Sequence, residues 1–434
     1  MHITVIGTGY VGLVMGAGLA EIGHFVTCVD RDPGRIAALQ AGQVPIYEPG
    51  LEELVTRNME EERLHFTTDV AGAVGDCLLI FLCVGTPPDH DGRADLSAVF
   101  DAIEQVGRSM TGYRIIVNKS TCPVGTADRI HEMLSQQPHP FDIVVNPEFM
   151  REGSAVDDLM RPDRIIVGCA DVRVVEIMKE VYGPFLRMGN PFLTMSVRSA
   201  EMAKYAVNTM LAARISMINQ LARICEACGA DIAEVREGLA SDKRIGPAYL
   251  YPGLGYGGSC LPKDVRACAE LAREKGVPAD LLDAIHGINQ KQLAHFITRI
   301  LDHYGDSIQG KHIAIWGATF KARTDDIRHA PALEVIDALL TAGAVVRVFD
   351  PVAGPKLTAH YGDRITVAPK AYAALEGADA LVIATEWREF QSPDHARMAQ
   401  LMRGNVVFDG RNLYAPRTMS EHGFRYFSIG RPNV

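Results

Sequence analysis

Met1-His2-Ile3-Thr4-Val5-Ile6-Gly7-Thr8-Gly9-Tyr10-Val11-Gly12 reads as a strand running straight into a glycine turn. Its first six residues form a short apolar run suited to a buried parallel strand. Helical character follows from Leu13 to Glu21. Gly7 permits the tight turn, Gly9 lets backbone approach a pyrophosphate, and Gly12 lets helix pack on strand. The helix start offers free N–H groups and a partial positive charge to phosphates. Phe25-Val26-Thr27-Cys28-Val29 is a second strand ending at Asp30. An acid there bonds both ribose hydroxyls and repels a 2′-phosphate, so NAD is expected over NADP, with neighbouring Arg31 as the opposing signal. A glycine turn without a ligand is the plainer alternative; the strand, helix and acid at their expected distances argue against it.

The chain has 434 residues, long for one core and suited to two or three domains. Charged residues are 22% and hydrophobic residues 47%, the balance of a soluble globular protein. A net charge of -10 argues against a nucleic-acid partner, though not against an anionic substrate held by local basic residues. No apolar run approaches the ~20 residues of a membrane helix, and the opening strand leaves no signal peptide. The 9 cysteines follow no spacing framework, which fits thiols in a reducing cytoplasm.

Strands and helices alternate onward. Cys77 to Val84 is a buried strand closed by Gly85-Thr86-Pro87-Pro88. Arg114-Ile115-Ile116-Val117 leads into Asn118-Lys119-Ser120-Thr121-Cys122-Pro123, and Phe141 to Val145 leads into Asn146-Pro147-Glu148-Phe149-Met150-Arg151-Glu152-Gly153. Arg164 to Gly168 adds one more strand. Polar residues thus gather after strand ends, where open parallel sheets place ligands. From Val197 to Ala227 the chain has no proline and reads as one long, largely buried helix. Lys204 and Asn208, four apart, share a face. A lysine there either snorkels at the helix edge or is functional. His312 to Gly317 restarts the strand-then-glycine pattern, Val345 to Asp350 again ends in an acid, and Ala380 to Thr385 and Asn405 to Asp409 add strands. Gly317-Ala318-Thr319-Phe320-Lys321 lacks the glycine triplet, so a different phosphate-bearing ligand is expected, with Lys321 and Arg328 as anion contacts; a solvated basic turn is the other reading. The expected fold is α/β, two doubly wound Rossmann-like domains joined by a helical central domain with one long helix. Its boundaries fall at 1–195, 196–300 and 301–434.

Tyr256-Gly257-Gly258-Ser259-Cys260-Leu261-Pro262-Lys263-Asp264 carries the chemistry. Pro262 suits the first turn of a helix, which puts Cys260 just ahead of a helix N-terminus and beside Lys263; both favour the thiolate. The glycines suggest an open loop of close approach. A thiolate adds to an aldehyde, and the thiohemiacetal, giving up a hydride, becomes a thioester that water releases as an acid. With a dinucleotide fold, this points to alcohol-to-carboxylate oxidation. Cys28, Cys77, Cys83 and Cys169 read as small buried hydrophobes. Cys225-Glu226-Ala227-Cys228 has no second metal-binding pair and reads as one face of a helix end; no metal is expected.

The chain resembles the UDP-glucose/GDP-mannose dehydrogenase family over essentially its whole length. The likeness rests on Gly7 to Gly12, Val84-Gly85-Thr86-Pro87, Lys119 to Pro123, Asn146 to Gly153, Glu201 to Asn208, the cysteine loop, and Phe320 to Arg328. Asp242-Lys243-Arg244-Ile245-Gly246, Thr385-Glu386-Trp387 and Asp409-Gly410-Arg411-Asn412 look like the UDP-glucose branch. Met150 stands where leucine is usual, and His329-Ala330 where Glu-Ser is common.

The resemblance implies NAD-dependent, four-electron oxidation of UDP-glucose to UDP-glucuronate, by a homodimer formed through the central helix. Cys260 is then the nucleophile. Lys204 and Asn208 bind the C6 oxygen, Asp264 supports Lys204 and the proton transfers, Thr121 holds a water, and Glu148 assists thioester hydrolysis. NAD contacts fall on the glycine turn, with Tyr10 and Val11, and on Asp30, Arg35, Thr86, Thr121, Glu152, Lys263 and Arg328. UDP-sugar contacts fall on Glu148-Phe149-Met150-Arg151-Glu152, Lys204, Asn208, Tyr249-Leu250-Tyr251-Pro252-Gly253, Gly257, Lys321 and Arg411. Arg244 matches an arginine that reaches a partner subunit's site. Other sugars remain alternatives, UDP-N-acetyl-hexosamine or GDP-mannose, as do a single-oxidation hydroxyacid-type dehydrogenase and a silent NAD-bound sensor. Two NADH per sugar, one, or none separate a double oxidation, a single oxidation and a sensor.

Overall fold

The computed structural model describes residues 1–186 and 189–434. They fall into two compact units, Met1–Val207 with Glu270–Val277, and Asn208–Ala269 with Pro278–Val434. Each unit contains one sheet.

The first unit holds β1 (His2–Ile6), β2 (Phe25–Val29), β3 (Leu64–Thr67), β4 (Leu79–Leu82), β5 (Arg114–Asn118), β6 (Phe141–Val145), β7 (Ile165–Gly168) and β8 (Phe192–Met195). Their spatial order is β3-β2-β1-β4-β5-β6-β7-β8. Among the described strands of this sheet, only the β6–β7 pairing is antiparallel. The sequence of β4 explains its place. Leu79 and Phe81 point into one buried cluster, Ile80 and Leu82 into another. A strand covered on both faces carries an unbroken apolar run. The order reverses between β1 and β4, and the open sheet offers its ligand crevice at that point.

The second unit repeats the plan with β9 (His312–Trp316), β10 (Val345–Phe349), β11 (Thr366–Val367), β12 (Ala380–Ile383), β13 (Val406–Asp409) and β14 (Arg425–Ser428). All are parallel, in the order β11-β10-β9-β12-β13-β14. β12 alternates in the same way, Ala380 and Val382 into one cluster, Leu381 and Ile383 into another.

The region between the two sheets in sequence is helical: Val197–Cys228, Ile232–Ser241, Leu261–Glu274 and Asp280–Tyr304. The first is one uninterrupted helix of 32 residues. The division into units passes through it, after Val207. Among the described residues no helix is long and apolar enough to cross a membrane.

Candidate active site

The glycine turn after β1 fits a dinucleotide. A Cβ on Gly12 would lie 1.8 Å from the Gly7 carbonyl oxygen, so only glycine allows helix and turn to meet there. Gly7 itself has φ +98°. A Cβ on Gly9 would meet nothing within 4 Å, so the space before the helix start is open to a pyrophosphate. No side chain caps that helix, Tyr10–Glu21, which leaves its first N–H groups available. Asp30 ends β2 where a ribose would lie. It accepts bonds from the Thr8 amide and hydroxyl, both 2.8 Å, and from the Asp32 amide. Arg35 pairs with it at 3.3 Å. Burial pushes the Asp30 carboxyl up, but these bonds and the Arg35 charge outweigh it and hold the group below the usual range. Thr86 and Thr121 are neighbours, the Thr86 hydroxyl donating to the Thr121 carbonyl at 2.8 Å.

Lys204 does not snorkel. Its side chain is 6% exposed, and its ammonium donates to the Glu148 backbone oxygen at 2.7 Å and to Glu148 Oε1 at 2.9 Å. Glu148 also accepts the Met150 amide. Burial raises the Glu148 carboxyl; the charge and bond of Lys204, the Met150 amide and the Lys119 charge outweigh it and leave the group lowered. The Phe149 ring takes Arg164 at 3.8 Å and Lys204 at 5.4 Å from its centroid. Arg151 is tied to Asp158 through two nitrogens at the surface.

Three residues of this unit were given no role from the sequence, although Lys119 and Glu201 stand within motifs quoted above. Glu48 is buried and accepts the amides of Gly153 and Ala155 and the hydroxyl of Tyr10. It ties the glycine turn to the segment that follows Glu152. Lys119 lies in a buried polar knot with Asn146, 3.0 Å away, and Tyr182. Burial pulls its ammonium down to about 8, against the upward pull of Cys83 and Glu148. Glu201, one turn before Lys204, accepts the Gly125 and Ala127 amides and so fixes the loop after Thr121. The available signal was an acid or lysine inside otherwise apolar surroundings.

In the second unit, Cys260 directly precedes the helix Leu261–Glu274, and its carbonyl accepts the Asp264 amide at 2.9 Å. The thiol therefore sits at a helix N-terminus, where a thiolate is favoured. Asp264 is 1% exposed and accepts from Asn208 Nδ2 at 2.5 Å and from Lys263 Nζ at 2.5 Å. The glycines before Cys260 are not the open loop expected. Gly257 and Gly258 are buried against the Phe320–Pro331 segment. A Cβ on Gly257 would lie 2.1 Å from the His329 carbonyl oxygen, and Gly258, at φ +82°, donates to the Arg328 carbonyl. Close backbone packing, not access, requires them.

The remaining candidates spread along this unit. Arg328 forms a two-nitrogen pair with Asp326, and Lys321 lies over the Phe320 ring. Arg411 donates to the carbonyls of Ala384 and Phe320 and pairs with Glu386. Gly253 lies against Arg411, its amide bonded to Asn219 and its carbonyl to Gln292. Tyr251 is exposed beneath Arg236, whereas Leu250 belongs to the core. Arg244 is 88% exposed and pairs with Asp242. At the second switch point, Asp350 is buried and accepts the Ala318 and Thr319 amides and the Trp387 indole N–H.

A doubly wound sheet with this turn and this acid is that of an NAD-dependent dehydrogenase. Residues 1–186 match the UDP-glucose/GDP-mannose dehydrogenase family NAD binding domain, 198–291 its central domain, and 314–416 its UDP binding domain. The chain belongs to this family. UDP-glucose 6-dehydrogenase of Pseudomonas aeruginosa is 46% identical over 100% of this chain and 98% of its own length. The corresponding figures for UDP-glucose 6-dehydrogenase TuaD of Bacillus subtilis are 42%, 100% and 94%. Among solved structures, a UDP-glucose dehydrogenase from Pyrobaculum islandicum matches with a TM-score of 0.91 at 35% identity, over 99% of this chain and 98% of that one. UDP-D-ManNAc dehydrogenase from Pyrococcus horikoshii matches with 0.87 at 26% identity, over 100% of each.

Proposed function

We propose that this enzyme oxidises UDP-glucose to UDP-glucuronate, in two oxidations at the sugar C6. The observation that carries the reading is Cys260 at the N-terminus of the helix whose first turn presents Asp264 to Asn208. NAD, when bound, accepts a hydride in each oxidation. The C6 alcohol first becomes an aldehyde. The Cys260 thiolate adds to its carbonyl carbon, and the new oxyanion is the tetrahedral charge that Lys204 and Asn208 stabilise as hydrogen-bond donors. Loss of the C6 hydrogen as hydride leaves a thioester on Cys260. Water held by Thr121 attacks it with help from Glu148, the C–S bond breaks, and thiol and carboxylate are released. Asp264 orients Asn208 and takes part in the proton transfers.

On this reading the chain has three parts, 1–195, 196–300 and 301–434, with the family's matched domains in support. It works as a homodimer through the central helix. Support comes from Met210, Met217 and Ile224, which recur every seven residues on that helix and are all exposed. A monomer in sedimentation velocity would contradict this. A cytoplasmic setting is favoured by its many buried thiols.

The experiment is a screen reading NADH production with UDP-glucose, UDP-N-acetyl-hexosamines and GDP-mannose. UDP-glucose is expected to give the highest kcat/KM. The likeness to the Pyrococcus horikoshii structure makes a UDP-N-acetyl sugar the second reading. In the same assay NAD is expected to exceed NADP by at least about a hundredfold, since Asp30 is held ionised where the 2′-phosphate would fall. Comparable kcat/KM with the two cofactors would show the Asp30 assignment wrong.

A further inference from the structure

Arg214, on the long helix, is committed to main chain. Its Nε donates to the Ala248 carbonyl at 2.8 Å, Nη1 to Ile245 at 2.9 Å and Nη2 to Gly246 at 2.8 Å. None of these bonds goes to a carboxylate. Three carbonyl oxygens turned toward one point repel each other, and the planar guanidinium answers them all with donors of fixed geometry. The turn they belong to is unusual. Gly246 has φ +68°, and Tyr249 has φ +59°, a region bulky side chains rarely adopt. Four residues beyond Tyr249 comes Gly253, whose amide donates to Asn219 on the same helix. The long helix thus grips the 245–253 segment at both ends, by Arg214 and by Asn219.

We propose that Arg214 is a positioning residue for the nucleotide sugar: by binding the three carbonyls it holds the 245–248 turn, and so sets Tyr249–Gly253 in the conformation that receives the substrate. The inference rests on the reading of Tyr249–Gly253 as UDP-sugar contacts. The segment's shape is then imposed from beneath by a residue that need not touch the ligand. Lysine cannot replace it, because a single ammonium on a flexible stem does not span three acceptors in one plane.

The test uses the full-length enzyme with Arg214→Lys, which keeps charge and stem, and Arg214→Met, which keeps only the stem. Steady-state kinetics with UDP-glucose and NAD are combined with hydrogen exchange of the 245–253 amides. Faster exchange in that segment is expected in both variants. The KM for UDP-glucose should rise about tenfold or more, while the KM for NAD and kcat stay within about threefold, the pattern of lost uniform binding. The lysine variant should resemble the methionine variant rather than wild type. If only the lysine variant folds, it carries the test alone. Unchanged exchange would overturn the role of Arg214 by itself. Equal rises in both KM values would show general loosening and overturn it too. Faster exchange with an unchanged UDP-glucose KM would overturn the proposal through the reading beneath it, since Tyr249–Gly253 would then not be the sugar's contact.

Discussion

Cys260→Ser is expected to abolish UDP-glucuronate formation, by roughly three orders of magnitude or more. The serine hydroxyl fits the same space at the helix N-terminus, but it is not ionised there at neutral pH and adds poorly to the aldehyde. The ester it would form is also the poorer acyl donor to water. The helix Leu261–Glu274 should be undisturbed, because Cys260 contributes its carbonyl to it and serine keeps that. The first oxidation needs no thiol, so a small amount of NADH and aldehyde should still appear. Product analysis by chromatography reads the outcome. UDP-glucuronate at a near wild-type rate would remove Cys260 from the reaction.

Lys204→Ala should lower turnover by on the order of 10²–10³, the usual effect of removing one donor to a developing oxyanion. The loss should fall on kcat more than on KM, since the charge exists only in the transition state. A complication follows from the buried pair. Removing Lys204 leaves the Glu148 carboxylate buried without its partner, which costs about 3–5 kcal/mol of stability. In wild type the Glu148 pKa is lowered, so its contribution is present above the ordinary glutamate range and lost as pH falls through the folded value. The double variant with Glu148→Gln tests the stability effect alone: a neutral amide should recover stability, while its turnover is low on either account because Glu148 also serves hydrolysis. Thermal unfolding and steady-state kinetics on both variants decide it. A folded Lys204→Ala enzyme that loses less than about tenfold in turnover would make the lysine a structural partner of Glu148 only.

Much of this was readable from residue order, and what was missed has physical causes. The strands absent from the sequence reading are β3, β8, β11 and β14, the four edges of the two sheets. They have 4, 4, 2 and 4 residues and are only partly buried. An edge strand lacks the continuous apolar run that betrays a central one. The second Rossmann-like fold was legible in Gly317 and Asp350, but not the indole of Trp387 that bonds Asp350, because 37 residues separate them. Cys260, Asp264 and Pro262 lie within one helical turn, and local spacing sufficed to place the thiol at a helix start. Arg214 bonds main-chain atoms of a distant segment, and Glu48 does so beside its bond to Tyr10. A buried acid or arginine can be marked by its residue type, but the main-chain partner it bonds leaves no pattern in the sequence.

The defining measurement is the number of NADH formed per UDP-glucose consumed at complete turnover, with the acid quantified in parallel. Two NADH and one UDP-glucuronate per sugar are expected if oxidation passes through the Cys260 thioester. One NADH per sugar, with aldehyde as the final product, would contradict it.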